Sequence, residues 1–325
     1  MKIRIATRKS PLALAQTRWV ARELIRHHPG LEVEELHIVT TGDRIQDRPL
    51  SEVGGKGLFV TEIEEALSSG QADLAVHSMK DVPAQLAAGL VIACVPMRED
   101  ARDVLVTLDG AGLDDLEAFC KVGTSSLRRQ SQLRLRRNDI ICEPVRGNVE
   151  TRLRKLDEGN YRAIVLALAG LRRLGLTHRA HRALSVEECV PAVGQGALGL
   201  EARAEDEKTA ALLAPLNHYE TRVAIEAERS FLGRLEGSCQ LPIAAYAQLS
   251  HAGTRLRIDA LVGTPDGSQV VNGGSDENLE DLSAAGKLRI AAELGRKLAE
   301  RMIEDGAGSM LDAAREVAQQ RGWKA

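Results

Sequence analysis

Apolar runs of strand length alternate with amphipathic helical stretches in the first half of the chain, and the alternation resumes after residue 100. Residues 2–6 favour a strand, and Ser10 and Pro11 then supply the N-cap and the first position of a helix. The apolar residues of that helix recur every three or four positions until Pro29. This alternation is typical of βαβ units and mainly parallel sheets, so the sequence predicts an α/β fold.

Two polar or glycine-containing segments, residues 98–102 and 190–199, separate the predicted α/β units and have the composition of paired hinges. They predict a chain that leaves one α/β lobe and later returns to it, so that two lobes enclose a cleft. From about Tyr219, a long helix, short alternating strands and two further helices predict a separate α+β domain. The predicted domains are residues 1–97 with 197–216, residues 102–190, and residues 219–325.

Composition excludes several classes of protein. A formal net charge of -3 gives no overall attraction to nucleic acid, and an aromatic content of 2% leaves few platforms on which bases could stack. The N-terminal residues lack a continuous apolar run, so we expect neither a signal peptide nor a membrane anchor, and a cytoplasmic location. Five cysteines without CxxC spacing predict neither a disulfide framework nor a metal site.

Residues 123–130 place small hydroxyl side chains between a predicted strand and a predicted helix, followed by two arginines. Free backbone N–H groups at such a helix start can bind an anion. Arg128 and Arg129 oppose the helix dipole there, at a cost of about 0.3 to 1 kcal/mol each unless an anion offsets it. We therefore expect this pair to bind a carboxylate, whereas a solvated basic helix is the better interpretation of Arg134 and Arg136.

Other basic residues follow predicted strands or begin the helices after them. Ligands of open α/β sheets bind at the carboxyl ends of the strands, so these side chains could converge on one polycarboxylate. For each residue taken alone, an ordinary surface charge is the better interpretation. The residues are Arg8, Lys9, Lys80, Arg146, Arg152 and Arg173.

Two further residues are candidates for chemistry. Asp81 ends a strand beside Lys80, which would keep the carboxylate ionised and able to stabilise a cation or accept a proton. A helix cap or a turn is the alternative for a single aspartate at this position. Cys239 lies in a tight loop between a helix and a strand, where thiols are reactive, although no histidine neighbours it in sequence.

Eight segments, taken in order, resemble hydroxymethylbilane synthase, the porphobilinogen deaminase family. The resemblance covers nearly the whole chain and weakens after about residue 250. The segments are IATRKSPLA at 5–13, VGGKGLF at 53–59, AVHSMKDVP at 75–83, VGTSSLRRQ at 122–130, RGNVETRL at 146–153, LALAGLRRLG at 166–175, PAVGQGALG at 191–199 and ERSFLGRLEGSCQLPI at 228–243.

The resemblance implies an enzyme that condenses four porphobilinogen molecules head to tail, releases ammonia, and frees hydroxymethylbilane by hydrolysis. It implies two lobes like those of periplasmic binding proteins, a C-terminal α+β domain, a monomer, and a dipyrromethane cofactor joined by a thioether to Cys239. Asp81, Lys80 and Arg8 match catalytic residues. Lys56 and Phe59 fall in or beside a mobile lid, in which Glu52 replaces the lysine of some members.

The resemblance also implies two overlapping sets of binding residues. The cofactor-binding residues are Cys239, Ser78, Lys80, Asp81, Thr124, Ser125, Ser126, Arg128, Arg129, Arg146 and Gly147. The substrate-binding residues are Arg8, Ser10, Lys56, Phe59, Arg146, Arg152, Arg173 and Gln195.

Two other hypotheses remain open at this stage. Two lobes joined by paired hinges also describe non-catalytic solute-binding or sensor proteins that close on an anion. The arginine-rich helix after residue 126 could instead bind nucleic acid, which would make the binding strongly salt-dependent.

Overall fold

The computed structural model describes residues 1–44, 58–236, 241–250 and 252–320 of the chain. A five-stranded sheet forms the centre of the first lobe. Its strands are β1 (Lys2–Arg8), β2 (Glu32–Ile38), β3 (Leu74–Ser78), β4 (Leu90–Cys94) and β10 (Leu198–Arg203). They lie in the order β2, β1, β3, β10, β4, with β1 parallel to β2 and β3 and with β10 antiparallel to both of its neighbours.

A second five-stranded sheet forms the centre of the other lobe. Its strands are β5 (Asp103–Val106), β6 (Lys121–Gly123), β7 (Ile141–Glu143), β8 (Ala163–Ala167) and β9 (Arg182–Ala183). They lie in the order β7, β6, β8, β5, β9, and β5 is antiparallel to both of its neighbours. The two sheets therefore share one topology, and in each the antiparallel strand is the first strand after the chain crosses from the other lobe.

This arrangement confirms the predicted fold class of two α/β lobes followed by a C-terminal α+β domain. Residues 95–102 and 184–197 connect the two sheets, as the paired hinges predicted. The domain boundaries themselves stay a prediction. Within the part of the chain that the structure describes, no helix combines the length and apolar character needed to cross a membrane.

Helices cover the two sheets, and their ends follow the local sequence. Ser10 caps α1 by accepting a hydrogen bond from the backbone N–H of Ala13 at 3.3 Å, as its position before Pro11 predicted. Beneath α1, Ile3 of β1 is buried in an apolar cluster with residues of that helix. The helices of the lobes are α1 (Pro11–His27), α2 (Thr41–Arg44), α3 (Thr61–Ser68), α4 (Leu127–Arg136), α5 (Val149–Asp157), α6 (Leu168–Arg173) and α7 (Glu207–Leu213).

The C-terminal domain packs two long helices against a three-stranded antiparallel sheet. Its elements are α8 (Tyr219–Arg234), β11 (Ile243–Leu249), β12 (Arg255–Gly263), β13 (Val270–Asn278), α9 (Ala284–Met302) and α10 (Gly308–Gln320). Helices α8 and α9 approach closely at Gly295, where an added Cβ would lie 2.0 Å from the carbonyl oxygen of Ala227. Only glycine allows this contact, which brings the fully buried Phe231 into the core of the domain.

Candidate active site

The ends of β1 and β3 and the start of α1 line a cleft in the first lobe. Strands β1 and β3 are parallel neighbours, so the residues that follow them emerge at the same edge of the sheet. The cleft therefore unites predicted residues that lie far apart in sequence. Those lining it are Arg8, Ser10, Phe59, Ser78 and Asp81.

Arg8 is already paired within this cleft. Its Nε lies 3.1 Å from both carboxylate oxygens of Asp43, and its guanidinium lies 4.1 Å from the centre of the Phe59 ring. Burial would raise the pKa of Asp43, but hydrogen bonds and charge from Arg8 lower it. Arg8 is thus held over the cleft by an internal carboxylate and an aromatic ring, and its contact with substrate stays a prediction.

Asp81 differs from Arg8 because its carboxylate makes no hydrogen bond and no ion pair with any residue that the structure describes. It belongs to a single 3-10 turn, Met79–Asp81, directly after β3. The charges of Lys80 and of Arg152, which belongs to the second lobe, both interact with this carboxylate. Asp81 is therefore available to a ligand between the lobes.

Lys80 lies beside Asp81 and points toward the second crossover between the lobes. Its Nζ donates to Oε1 of Gln195 at 3.4 Å. Burial is the largest influence on the amine and lowers the pKa of Lys80 to about 8. The carboxylate of Asp81 acts in the opposite direction, and the guanidinium of Arg129 acts in the same direction as burial.

The structure gives Arg128 and Arg129 a partner that the sequence did not suggest. Both side chains are buried, and both bind Asp103, the first residue of β5. Arg128 Nη2 lies 2.8 Å from Oδ2 of Asp103, while Nε and Nη2 of Arg129 lie 3.1 and 2.7 Å from Oδ1. The anion expected from the helix-dipole argument is thus an internal carboxylate, and contact of the pair with a bound ligand stays a prediction.

The hydroxyl residues before α4 organise its start. Ser126 caps the helix by accepting from the N–H of Arg129 at 3.5 Å, and Thr124 Oγ1 accepts from the N–H of Ser126 at 3.2 Å. Ser125 donates to the carbonyl oxygen of Val145 at 2.9 Å. These contacts fix the loop that carries the arginine pair.

Three arginines near the interlobe cleft form no ion pair in the part of the chain that the structure describes, although the charge of Glu99 acts on Arg173. Arg152 Nε donates to the carbonyl oxygen of Gly147 at 2.8 Å, and Arg173 Nη2 donates to that of Gly196 at 2.6 Å. Arg146 has a buried Nε with no hydrogen-bond partner among the described residues. Burial lowers the pKa of Arg152 and of Arg173 to about 10 each.

The charges of these arginines indicate which kind of ligand the site suits. Burying a cation without a carboxylate is unfavourable, and a bound anion removes the penalty. Guanidinium groups also match carboxylates in charge and in geometry. The described residues therefore fit a ligand that carries several carboxylates.

Gly147 and Gln195 are two further residues of the same region. Gly147 has a φ of +104°, and a Cβ there would lie 2.5 Å from the side chain of Thr151. Gln195 is 1% exposed and lies in the second crossover, so its side chain is surrounded by other protein groups.

Three residues of the resemblance, Glu52, Lys56 and Cys239, lie outside the described residues.

Two protein-family models match the chain. The model of the dipyrromethane cofactor binding domain of porphobilinogen deaminase matches residues 3–211, and that of the porphobilinogen deaminase C-terminal domain matches residues 223–304. The chain belongs to the porphobilinogen deaminase family. As a porphobilinogen deaminase family member it is a transferase of porphyrin and heme biosynthesis with a dipyrromethane cofactor, which confirms the resemblance.

Solved structures that match this porphobilinogen deaminase family member include periplasmic proteins. The VFT2 domain of Bordetella pertussis BvgS, a double mutant, is 15% identical with a TM-score of 0.39, and the match covers 65% of this chain and 84% of that chain. The periplasmic aliphatic sulphonate binding protein SsuA from Escherichia coli is 18% identical with a TM-score of 0.39, covering 72% and 70%. Likeness at this level carries no argument about activity.

Sequence reasoning missed two carboxylates of the deaminase site, Asp43 and Asp103. A signal for Asp103 was present, because an aspartate that begins the wholly buried strand DVLV requires buried cations nearby. Asp43 had no comparable signal, since a single aspartate in a short polar helix is usually a cap.

Proposed function

We propose that this chain is a hydroxymethylbilane synthase that condenses four porphobilinogen molecules head to tail. Four ammonia molecules leave during condensation, and one water molecule is consumed when the linear product is released. The dipyrromethane cofactor supplies the terminal pyrrole that acts as acceptor. Cys239 is the proposed attachment point through a thioether, on the strength of its family motif.

One observation carries this proposal: within the described part of the chain, the carboxylate of Asp81 and three half-buried arginines form no ion pair, and the charges of Asp81 and Arg152 interact. Each porphobilinogen unit brings an acetate and a propionate, so a growing chain brings carboxylates in pairs. Arg146, Arg152 and Arg173 can neutralise such pairs with bidentate hydrogen bonds.

Asp81 is the proposed catalytic group. Departure of ammonia leaves an electron-poor methylene carbon, whose positive charge is shared with the pyrrole N–H. A carboxylate that accepts a hydrogen bond from this N–H stabilises the charge, and it can assist removal of the proton displaced by the new carbon–carbon bond. Arg8 lines the same cleft and Lys80 is the residue before Asp81, and both are proposed to orient carboxylates of the incoming unit.

Replacement of Asp81 by Asn tests the proposal. The amide keeps the size of the side chain but loses the charge, so we expect porphobilinogen consumption to fall by about a thousandfold or more. Folding and the mass of the bound cofactor should be unchanged. Asp305→Asn is the matched control, since Asp305 is an exposed residue of the C-terminal domain. Near-normal turnover in Asp81→Asn would overturn the assignment.

A further inference from the structure

A buried chain of hydrogen bonds joins the two lobes behind the candidate active site. Asp103, at the start of β5, is 0% exposed. Its Oδ1 accepts from Nε2 of Gln195 at 2.9 Å, and the same Nε2 also donates to the carbonyl oxygen of Ala101 at 2.6 Å. Oε1 of Gln195 in turn accepts from Nζ of Lys80 at 3.4 Å. The chain therefore runs from the second lobe, through the returning crossover, to the first lobe.

Asp103 also serves as the common anchor of the arginine pair. Its two oxygens accept three guanidinium hydrogen bonds or ion pairs, from Arg128 and from Arg129. The remaining contacts hold each arginine in place, since Arg128 Nη1 donates to Val190 O at 2.7 Å and Arg129 Nη1 donates to Val165 O at 2.8 Å. Burial raises the pKa of Asp103, but the two guanidinium charges reverse the effect and hold it below its ordinary range.

The charge balance of this cluster matters for a ligand. One carboxylate against two guanidinium groups leaves a net positive charge in a buried place. The arginines are thus fixed in position before any ligand arrives, yet the region still attracts acid groups. Preorganised charges of this kind cost no rearrangement when a ligand binds.

We propose that Asp103 is a positioning residue: it fixes Arg128 and Arg129 in the second lobe and, through the amide of Gln195, holds Lys80 beside Asp81 in the first. The inference rests on the proposed function, because it assigns these cations to the binding of substrate carboxylates. A residue of the second lobe thus sets the position of the Lys80 amine in the first lobe. A change in the relative position of the lobes would therefore move this amine with respect to Asp81.

The electrostatic consequence has a definite sign. Lys80 faces Asp81 in its own turn, Gln195 in the crossover, Asp103 in β5, and the two arginines of α4. Asp103 is one of two carboxylates that favour the protonated amine. Asn at position 103 keeps the oxygen that accepts from Arg129 and Gln195 but removes one negative charge near the amine, so Lys80 should lose its proton at a lower pH.

The test is the pH dependence of Lys80 acylation in the purified full-length protein. Acetic anhydride labelling at a series of pH values, read by mass spectrometry on the peptide that contains Lys80, gives the midpoint at which the amine becomes reactive. We expect Asp103→Asn to move this midpoint down by about half a pH unit or more, a threefold change in the protonation equilibrium. Asp114→Asn, an exposed aspartate of the same lobe, should leave it unchanged.

A general loss of packing in the variant, without the specific link from Asp103 to Lys80, gives the opposite result. A loosened site would expose Lys80 to water and move the midpoint up, toward the ordinary lysine value of about 10.4. A midpoint that is unchanged or raised in folded Asp103→Asn would therefore overturn the proposal. The alkaline limb of kcat/KM for porphobilinogen should move down with the midpoint.

A second variant decides the question if Asp103→Asn does not fold. Gln195→Met keeps the length of the side chain but removes the oxygen that accepts from Nζ of Lys80, so the protonated amine loses a hydrogen bond and the midpoint should fall; an unaffected midpoint would show that position 195 does not link to Lys80. The labelling can be read whether or not the protein consumes porphobilinogen. Inactive wild-type protein would refute the proposed function, whereas active protein with an unresponsive Lys80 would refute only this inference.

Discussion

Glu228 and Arg98 form a buried, two-point ion pair that joins α8 to the first crossover between the lobes, with Nη1 and Nη2 of Arg98 lying 2.6 and 3.2 Å from the two carboxylate oxygens. Glu228 is 0% exposed and also accepts from the backbone N–H groups of Gly194 at 2.7 Å and Ala247 at 2.8 Å. One carboxylate therefore ties both crossovers to the C-terminal domain. Glu228, Arg98 and the N–H groups of Gly194 and Ala247 thus form a hydrogen-bonded joint between the C-terminal domain and the segments that connect the lobes.

Replacing Glu228 by Gln should destabilise this joint. The amide cannot balance the charge of Arg98, which stays largely buried, so we expect the free energy of unfolding to fall by about 3 kcal/mol. Thermal unfolding followed by calorimetry measures the change. Glu300→Gln is the control, because Glu300 pairs with arginines at the surface and its loss should leave the melting temperature near that of the wild type. Equal melting temperatures for the two variants would contradict the importance of the joint.

Two glycines with similar backbone angles should respond differently to alanine. Gly196 has a φ of +87°, and a Cβ there would lie 2.3 Å from the backbone oxygen of Glu99. Gly30 has a φ of +86° with no atom within 4 Å of the added Cβ. Gly30→Ala should cost only the conformational penalty of about 1 to 2 kcal/mol. Gly196→Ala should cost more and also reduce turnover, because the two crossovers would have to separate. Similar melting temperatures for both variants would argue against close packing of the crossovers.

Much of the fold follows from local sequence. The pattern of Ser10, Pro11 and the spaced apolar residues predicted α1 almost to its last residue, because one helix face packs on the sheet. The sequence also predicted the two lobes, since strands and helices alternate on each side of two hinge-like segments. Strand propensity alone does not predict the length of β13, which spans Val270–Asn278, because pairing with β12 extends it through glycines and acids of low strand preference.

The site was less predictable than the fold. Sequence placed basic residues at strand ends, and the structure brings Arg8 and Asp81 to one cleft. It could not show that Arg128 and Arg129 share Asp103, because the three residues come together only through long-range pairing of strands. Two arginines at the start of a helix require a nearby anion, but that anion can be either a ligand or a side chain of the protein.

The lowered pKa of Lys80 predicts that activity depends on pH. Because burial lowers this pKa to about 8, the amine loses its charge as pH rises through that value, and binding of substrate carboxylates should weaken. Lys80→Arg keeps the charge to far higher pH, since the guanidinium pKa is above about 12. We expect kcat/KM for porphobilinogen to fall above pH 8 in the wild type and to fall later in Lys80→Arg. Lys297→Arg, on the surface of the C-terminal domain, is the control. Superimposable alkaline limbs would show that Lys80 does not set the pH dependence.

Arg152 and Arg154 offer a matched pair on α5. Among the described residues Arg152 forms no ion pair, and its charge interacts with that of Asp81, whereas the Arg154 side chain is 68% exposed. Loss of a charge-assisted hydrogen bond to a carboxylate costs about 1.5 to 3 kcal/mol, so Arg152→Gln should raise KM for porphobilinogen by about tenfold or more. Arg154→Gln should leave steady-state kinetics unchanged. Equal kinetics for the two variants would place Arg152 outside the binding site.

The most direct test of the account is the intact mass of the denatured protein, purified from cells that make porphobilinogen. The wild type should exceed the mass of its sequence by one two-pyrrole group, and Cys120→Ser, which alters a partly buried cysteine elsewhere, should retain that excess after allowance for the substitution. Cys239→Ser should lose it. A wild-type mass equal to that of the sequence alone, or an excess that persists in Cys239→Ser, would contradict a pyrrole chain built on the sulfur of Cys239.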